Sequence, residues 1–166
     1  MSTQIDHLLN ETRRFAPKQK FVAQAVGTPE LFEEAAADRL EFWANQARTL
    51  LHWDKPFTQT LDQANAPNYR WFADGELNVS ANCLDRHLAE RADKPAIVFE
   101  GEPGDTRSLS YRELLAEVSR LANALRSLGL QAGDRVVLYM PLVPEAIVAM
   151  HACARIGAVQ SVAFGG

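Results

Sequence analysis

Three consecutive residues offer the side chains used for proton transfer and anion binding: Asp85, Arg86 and His87. As a cluster they suggest a catalytic site. Consecutive positions of a helix point in different directions, however, so the three side chains do not form a site by themselves. We therefore interpret them as surface or packing residues, and the chain is predicted to hold no catalytic residue among them.

A histidine and a cysteine lie two positions apart, at His151 and Cys153, and could supply two ligands to a metal ion. Nothing nearby offers the other two ligands at the spacing of a zinc site, so we predict no metal. The chain has only two cysteines, Cys83 and Cys153, whereas a secreted chain of this size more often carries a disulfide framework. Both thiols are interpreted as buried, small apolar groups.

Aromatic residues concentrate in an irregular segment, residues 52–80, which contains Trp53, Phe57, Tyr69, Trp71 and Phe72. Such a segment, rich in Pro, Asn, Asp and Gly, is typical of a strap that its aromatic rings anchor to a larger body. A ligand cage built from the same rings is the alternative. The pair Asp74-Gly75 is a turn signal between two short extended runs, residues 69–72 and 77–79.

Before this segment, an irregular arm and two helices are predicted. Residues 1–28 have no helical period and are expected to form a loosely held arm. Thr28 and Pro29 are suited to begin a helix. A stronger helix follows, and its apolar stripe is expected to pack against something: Leu40, Trp43, Ala47, Leu50 and Leu51. Another helix is predicted around residues 84–88, ending before Lys94-Pro95.

From residue 95 the pattern alternates between strands and helices. Strands are predicted at residues 96–99, 107–110, 135–140 and 158–164, the third as a buried parallel strand. Helices are predicted after the capping box Ser110–Glu113 and after Pro144, ending at Gly129 and Gly157. Strand–helix–strand therefore occurs twice. The predicted fold class is α/β, with an incomplete parallel or mixed sheet and crossover helices, preceded by a mostly helical and irregular N-terminal extension.

Composition excludes several function classes. The 166 residues are 47% hydrophobic and 23% charged, with 17 basic against 21 acidic residues. Because no run of Lys or Arg forms a basic stripe, nucleic acid is not an expected partner. The N-terminus does not resemble a secretory signal, and the most apolar stretch, residues 146–154, is far shorter than the roughly 20 residues of a membrane span. No membrane partner and a cytoplasmic location are predicted.

Several separated motifs together resemble the N-terminal region of the AMP-forming acetyl-CoA synthetase family, a group within the adenylate-forming acyl-CoA synthetases. They are Trp71 to Asn78, Ala81 to His87, Ser110 to Leu114, Tyr139-Met140-Pro141, Ala152 to Ala158 and Phe164-Gly165-Gly166. Their order and spacing match from about residue 30 onward. The resemblance implies an N-terminal extension at residues 29–94 and the start of the large AMP-binding domain at residues 95–166, truncated, after an arm at residues 1–28.

The resemblance also implies an activity and its substrates. In that family, ATP and acetate give acetyl-AMP, and the thiol of coenzyme A then displaces AMP; ATP, coenzyme A and Mg²⁺ belong to the full-length enzyme. The phosphate-binding loop, which is rich in Gly, Ser and Thr, is not found here. We therefore expect this fragment, without the C-terminal remainder as its partner, to be inactive and to bind no cofactor tightly.

One ligand contact carries over from the resemblance. Phe164, Gly165 and Gly166 are expected to lie against the adenine end of coenzyme A. Independently, ligands of open parallel sheets bind beyond the carboxyl ends of strands, and glycine allows close approach to the backbone. The alternative is a core Phe164 followed by a simple turn. A propionyl-CoA or other short-chain synthetase, and a non-enzymatic docking module, remain the competing functions.

Overall fold

The computed structural model describes residues 13–163, and the predicted contact residues Phe164, Gly165 and Gly166 lie outside the described residues. The chain divides into two compact units, one ending at Trp43 and the other beginning at Ala44. In the described part, no helix is both long enough and apolar enough to cross a bilayer.

The first unit is helical. Its helices are α1 (Gln19–Val22), α2 (Pro29–Ala37) and the start of α3 (Arg39–Leu50). Pro29 begins α2 as predicted, although the Thr28 side chain makes no capping hydrogen bond to the backbone. The Asp38 carboxylate caps α3, accepting from the backbone N–H groups of Leu40 and Glu41 at 3.0 Å each. The expectation of a wholly irregular arm is wrong where α1 forms one turn, none of whose residues is buried.

The apolar stripe of α3 is only partly buried. Ala44 and Ala47 are buried and join Phe57 in a small core in the second unit, against which Trp53 and Phe72 pack. Leu50 and Leu51 remain exposed. Of the predicted stripe, only Ala47 is buried; Ala44, which also packs in this core, was not part of the prediction.

The irregular segment of the second unit contains a short antiparallel pair. Strand β1 (Leu61–Asp62) pairs with β2 (Arg70–Trp71), and Leu61 is opposite Trp71. A turn does occur at Asp74-Gly75, where the Gly75 N–H donates to the carbonyl of Phe72 at 3.0 Å. The second predicted extended run is wrong at its end, because Val79 begins a helix.

That helix, α4 (Val79–Cys83), is followed by a 3₁₀ turn (Asp85–His87) and by α5 (Leu88–Arg91). The single helix predicted around residues 84–88 is therefore two short pieces, the 3₁₀ turn and α5, and α4 ends just before it. The break occurs at Leu84, whose buried side chain joins the main core and whose backbone leaves the regular helical geometry with φ −119°.

Residues 95–163 follow the predicted order of strands and helices: β3 (Pro95–Glu100), β4 (Thr106–Ser110), α6 (Tyr111–Ser127), β5 (Arg135–Tyr139), α7 (Pro144–Arg155) and β6 (Val159–Ala163). Strands β3 and β4 form an antiparallel hairpin, and β5 and β6 run parallel. The capping box of Ser110 and Glu113 is complete at the start of α6. The α/β class is confirmed.

Two details of the sheet differ from the prediction. Only β5–α7–β6 forms a parallel strand–helix–strand unit, because β4 pairs with β3 and β5 pairs with β6 within the described residues. Strand β5 is not buried on both faces: Leu138 is buried, whereas Val137 and Tyr139 are 71% and 76% exposed. Leu138 packs in one core cluster with α7 residues, so α7 covers that face of the strand and the other face is open.

The main core lies between α6 and α7. Its central side chains come from both helices and from the segment after α4: Leu84, Leu114, Val118, Ala122, Val148 and Ala152. Small residues on α7 let it approach α6 and the sheet closely, as its alanine-rich sequence predicts. Ala96 and Ile97 of β3 pack against this core.

Candidate functional site

The carboxyl ends of β5 and β6 lie side by side, because Tyr139 is in register with Ala163. Ligands of open parallel sheets bind beyond such ends. The chain leaves β5 through residues 140–143 and enters α7 at Pro144. We take this carboxyl edge as the candidate site, because Phe164, the first of the predicted ligand contacts, follows β6 directly in the sequence.

A cleft of about 770 Å³ borders the edge. One wall is the turn of the β3–β4 hairpin, and the other is the loop that follows β5. Its lining combines apolar groups, carboxylates and one arginine: Phe99, Glu100, Glu102, Pro103, Asp105, Arg107, Pro141, Leu142, Val143, Pro144 and Glu145. This cleft is acidic, so it is unsuited to the phosphates of a nucleotide.

Arg107 lines this cleft, but its guanidinium is already paired with two carboxylates of the chain. Its guanidinium forms an ion pair with Glu145 at the start of α7 and another with Glu117 of α6, the latter at 3.0 Å. The pKa of Glu145 is below its usual value because its own backbone N–H and then Arg107 donate to the carboxylate. Arg107 therefore joins the hairpin to both helices, a role that sequence reasoning missed because its partners lie 10 and 38 residues away.

A second cavity, of about 820 Å³, lies at the opposite end of the parallel pair. It is lined by residues that precede β5, such as Gln131 and Ala132, and by residues that precede β6, such as Arg155 and Ile156. Because it opens at the amino ends of the strands, it does not have the usual position of a ligand site in an open parallel sheet.

Asn78 connects two helices at this amino end. Its Oδ1 accepts from the backbone N–H of Ala81 at 3.1 Å and so caps α4. Its Nδ2 donates to the carbonyl oxygens of Ala154 and Arg155, at 3.1 and 3.2 Å, in the last turn of α7. One side chain thus satisfies a free donor at the start of one helix and adds hydrogen bonds to carbonyl oxygens at the end of another.

The cluster Asp85, Arg86 and His87 is dispersed over different contacts. Asp85 accepts two hydrogen bonds from Arg155, at 2.7 and 2.8 Å, and this pairing holds the pKa of the carboxyl below its ordinary value. Arg86 donates to the carbonyl of Leu50, and the ring of His87 lies edge-on to Tyr111. These are packing contacts, in agreement with the interpretation from sequence.

The histidine and cysteine of α7 do not meet further ligands. Within residues 13–163, no three His, Cys, Asp or Glu side chains are grouped as a metal site would require. Burial lowers the pKa of His151 and raises that of the Cys153 thiol. Both cysteines are free, and Cys153 is buried as predicted. Cys83 is exposed, contrary to prediction, because α4 is only five residues long and buries Ser80 alone.

The aromatic residues of the strap pack on one another. Trp53 lies edge-on to Phe57 and Phe72, with ring centroids 5.1 and 5.8 Å apart. A Cβ at Gly75 would lie 2.6 Å from the Trp53 ring, so this close contact requires glycine. The arrangement supports the anchoring interpretation for these three rings, while Tyr69 remains 55% exposed.

Comparisons with known proteins agree with these regions of the chain. Residues 84–165 match the family of AMP-binding enzymes, and residues 28–83 match the acetyl-coenzyme A synthetase N-terminus. The acetyl-coenzyme A synthetase of Laribacter hongkongensis is 55% identical over 171 residues, covering 100% of this chain and 26% of that protein. That of Streptomyces avermitilis is 58% identical over 161 residues, covering 96% and 24%. The chain thus spans about a quarter of the length of these relatives.

Proposed function

Because the chain belongs to the AMP-binding enzymes and carries the N-terminal region of acetyl-coenzyme A synthetases, we propose that it is part of an AMP-forming acetate–CoA ligase. The observation that carries this proposal is the pair of adjoining family matches, which together extend over residues 28–165. Relatives named for this activity, at 53–58% identity, support it.

The proposed reaction has two steps. An acetate oxygen attacks the α-phosphorus of ATP, which forms acetyl-AMP and releases pyrophosphate. The thiol sulfur of coenzyme A then attacks the acetyl carbonyl carbon, and AMP leaves as the thiol proton is lost. We propose that residues 29–94 act as an extension of the large AMP-binding domain and that residues 95–166 form the start of that domain.

The carboxyl edge of β5 and β6 is the proposed contribution of this chain to coenzyme A binding. Phe164, Gly165 and Gly166 follow β6 and are proposed to lie against the adenine end of coenzyme A, since an aromatic ring stacks on a base and glycine admits a ligand to the backbone. The described residues contribute the support beneath them: the parallel strands, the core of α6 and α7, and the contacts of Asn78.

The side chains of residues 13–163 do not fit Mg²⁺, and the cleft beside β5 does not fit the phosphates of ATP. The described part of the chain has no cluster of metal ligands, and the cleft beside β5 is acidic. We therefore derive no step of the reaction through Mg²⁺ on these residues. The proposed compartment is the cytoplasm, where the free, exposed thiol of Cys83 would stay reduced.

The test is a chimaera in which this chain replaces the matching quarter of the Laribacter hongkongensis relative. Acetate-dependent exchange of pyrophosphate into ATP reports the first step, and acetyl-CoA formation reports the second. Activity with acetate within tenfold of the unmodified relative supports the proposal. A correctly folded chimaera that activates neither acetate nor propionate would overturn it, and a clear preference for propionate would replace acetate by the longer acid.

A docking module is the second candidate, and the open face of β5, with Val137 and Tyr139, favours it. Exposed apolar faces of this kind mark surfaces that another protein covers. Mixing this chain with the intact relative discriminates between the two. Tight binding without any activity in the chimaera supports the module, whereas an active chimaera without such binding supports the ligase.

A further inference from the structure

We propose that Asn78 is a positioning residue, which fixes the strand β6 so that its carboxyl end meets coenzyme A correctly. This inference rests on the proposed function and concerns only its second step. Asn78 itself touches no substrate. It acts on the corner between α7 and β6, residues 154–158, where its Nδ2 donates to two carbonyl oxygens.

The first argument is the geometry of Asn78 itself. Its Oδ1 is held by the N–H of Ala81, which orients the amide so that Nδ2 points to the carbonyl oxygens of Ala154 and Arg155. Asn82, one turn along, donates to the carbonyls of Asn78 and of His52 and so holds the backbone of Asn78 in place. The amide has all its contacts within one small region and cannot turn without losing several.

A second contact reaches the same corner independently. The guanidinium of Arg155 is bound by both carboxylate oxygens of Asp85, at 2.7 and 2.8 Å. Two residues therefore hold the last turn of α7: Asn78 binds its backbone carbonyls, and Asp85 binds the side chain of Arg155. Both holding residues belong to the short helical segment around residues 78–87, outside the strand–helix–strand unit.

From this corner the chain enters β6 with little freedom. Gly157 accepts a hydrogen bond from the N–H of Gly133 at 2.9 Å, and the N–H of Val159 donates to the carbonyl of Asp134 at 2.8 Å. Strand β6 then extends only from Val159 to Ala163, about 13 Å at roughly 3.3 Å per residue. A shift at the corner is therefore passed along a stiff, short strand to its carboxyl end.

The consequence for catalysis is selective. A displacement of about 1 Å in a group that positions a substrate can lower a rate a hundredfold. The carboxyl end of β6 is the proposed coenzyme A contact, whereas no residue described in the chain is assigned to ATP or acetate. Loosening the corner should impair the use of coenzyme A and leave the formation of acetyl-AMP intact.

The decisive variant is Asn78→Asp. Aspartate keeps the oxygen that caps α4, and it is as good an N-cap as asparagine. It loses the two hydrogen bonds to α7 and places a negative charge against the carbonyl oxygens of a helix C-terminus, which is unfavourable. The matched control is Asn45→Asp, the same change at an exposed residue of α3 whose Oδ1 accepts from Arg48, a contact that aspartate keeps.

The experiment uses the chimaera described above. For Asn78→Asp we expect the KM for coenzyme A to rise at least fivefold, while acetate-dependent ATP–pyrophosphate exchange stays within twofold. Asn45→Asp should change neither parameter by more than twofold. If both half-reactions fall together, or if neither changes, Asn78 is not a positioning residue. A chimaera without any exchange activity contradicts the proposed function instead.

If the chimaera has no exchange activity, amide hydrogen exchange on this chain alone still tests the inference. Backbone amide exchange in β6 should become at least fivefold faster in Asn78→Asp, relative to the amides of the β3–β4 hairpin. Equal acceleration in both sheets would indicate general destabilisation and would overturn the inference. Unchanged exchange in β6 would overturn it as well.

Discussion

Asp85 and Arg155 form a two-bonded ion pair across 70 residues of sequence, with Oδ–Nη distances of 2.7 and 2.8 Å. The two side chains are 38% and 29% exposed, so the pair is neither buried nor fully solvated. It joins the short helices after the strap to the last turn of α7. The side chain of Asn78 binds backbone carbonyls of the same turn. The two contacts therefore act on one corner of the fold.

The first prediction measures this pair directly. In a double-mutant cycle of Asp85→Asn and Arg155→Met, the coupling free energy should be about 1 kcal/mol, because two-bonded geometry strengthens a pair that solvent partly screens. Urea unfolding of the four proteins gives the value. Coupling near zero would show that the pair contributes nothing to stability.

The second prediction concerns the start of α6. The side chain of Ser110 accepts from the N–H of Glu113, and the Glu113 carboxylate accepts from the N–H of Ser110 at 2.8 Å. Ser110→Ala removes the first bond and should lower the free energy of unfolding by about 1 kcal/mol. Ser110→Thr, which keeps the hydroxyl, should cost less than half as much in the same urea titration. Equal losses would argue against capping.

The capping box illustrates what local sequence determines. Its signature lies within four residues, so the start of α6 was predictable from the sequence, as were the ends of α6 and α7 at glycines. The strands from residue 95 onward were predictable for the same reason, because hairpin and strand–helix–strand patterns are local.

Other features depend on distant partners and were therefore missed. Asn78 was taken for part of an extended run, although asparagine is a strong N-cap, because nothing local shows that α7 offers it two acceptors. The one-sided burial of β5 was missed because an apolar run does not reveal how many layers cover it. The partners of Arg107 and Arg155 could not be identified without the fold.

The third prediction is a pH dependence. Asp74 accepts from the hydroxyl and backbone N–H of Thr58, which lowers its pKa from 3.8 to about 2. The depressed pKa contributes stability that is fully present above pH 4 and is lost as the pH falls toward 2. Asp74→Asn should therefore flatten the fall in unfolding free energy between pH 4 and 2, followed by circular dichroism. An unchanged slope would contradict the role of Thr58.

The fourth prediction concerns two glycines, one in the turn that precedes β5 and one in the turn that precedes β6. Gly157 has φ +75°, and a Cβ there would lie 3.1 Å from the Cβ of Ala132; Gly133 has φ +89° with open space around it. Alanine at either glycine should cost about 1–2 kcal/mol for the left-handed backbone. Gly157→Ala should cost more than Gly133→Ala because of the added contact.

The contact between residue 132 and an alanine at residue 157 can be tested separately. Ala132→Gly removes the Cβ that an alanine at residue 157 would approach, so it should recover part of the loss in a Gly157→Ala background. Chemical denaturation of the single and double variants measures the recovery. If Ala132→Gly gives no recovery, the cost at Gly157 comes from backbone strain alone.

The fifth prediction distinguishes the two thiols. Cys83 is exposed, whereas Cys153 is fully buried in the cluster with Leu138 and Ala149, and burial raises its pKa. The thiolate is the reactive form, and solvent must reach it, so Cys153 is protected twice. At pH 8 a disulfide reagent should modify one thiol per folded chain within minutes and the second only in urea. The folded Cys83→Ser variant should not react on this timescale. The Cys153→Ser variant should react as the wild type does. Rapid modification of Cys153 would show that the contact between α7 and β5 opens readily.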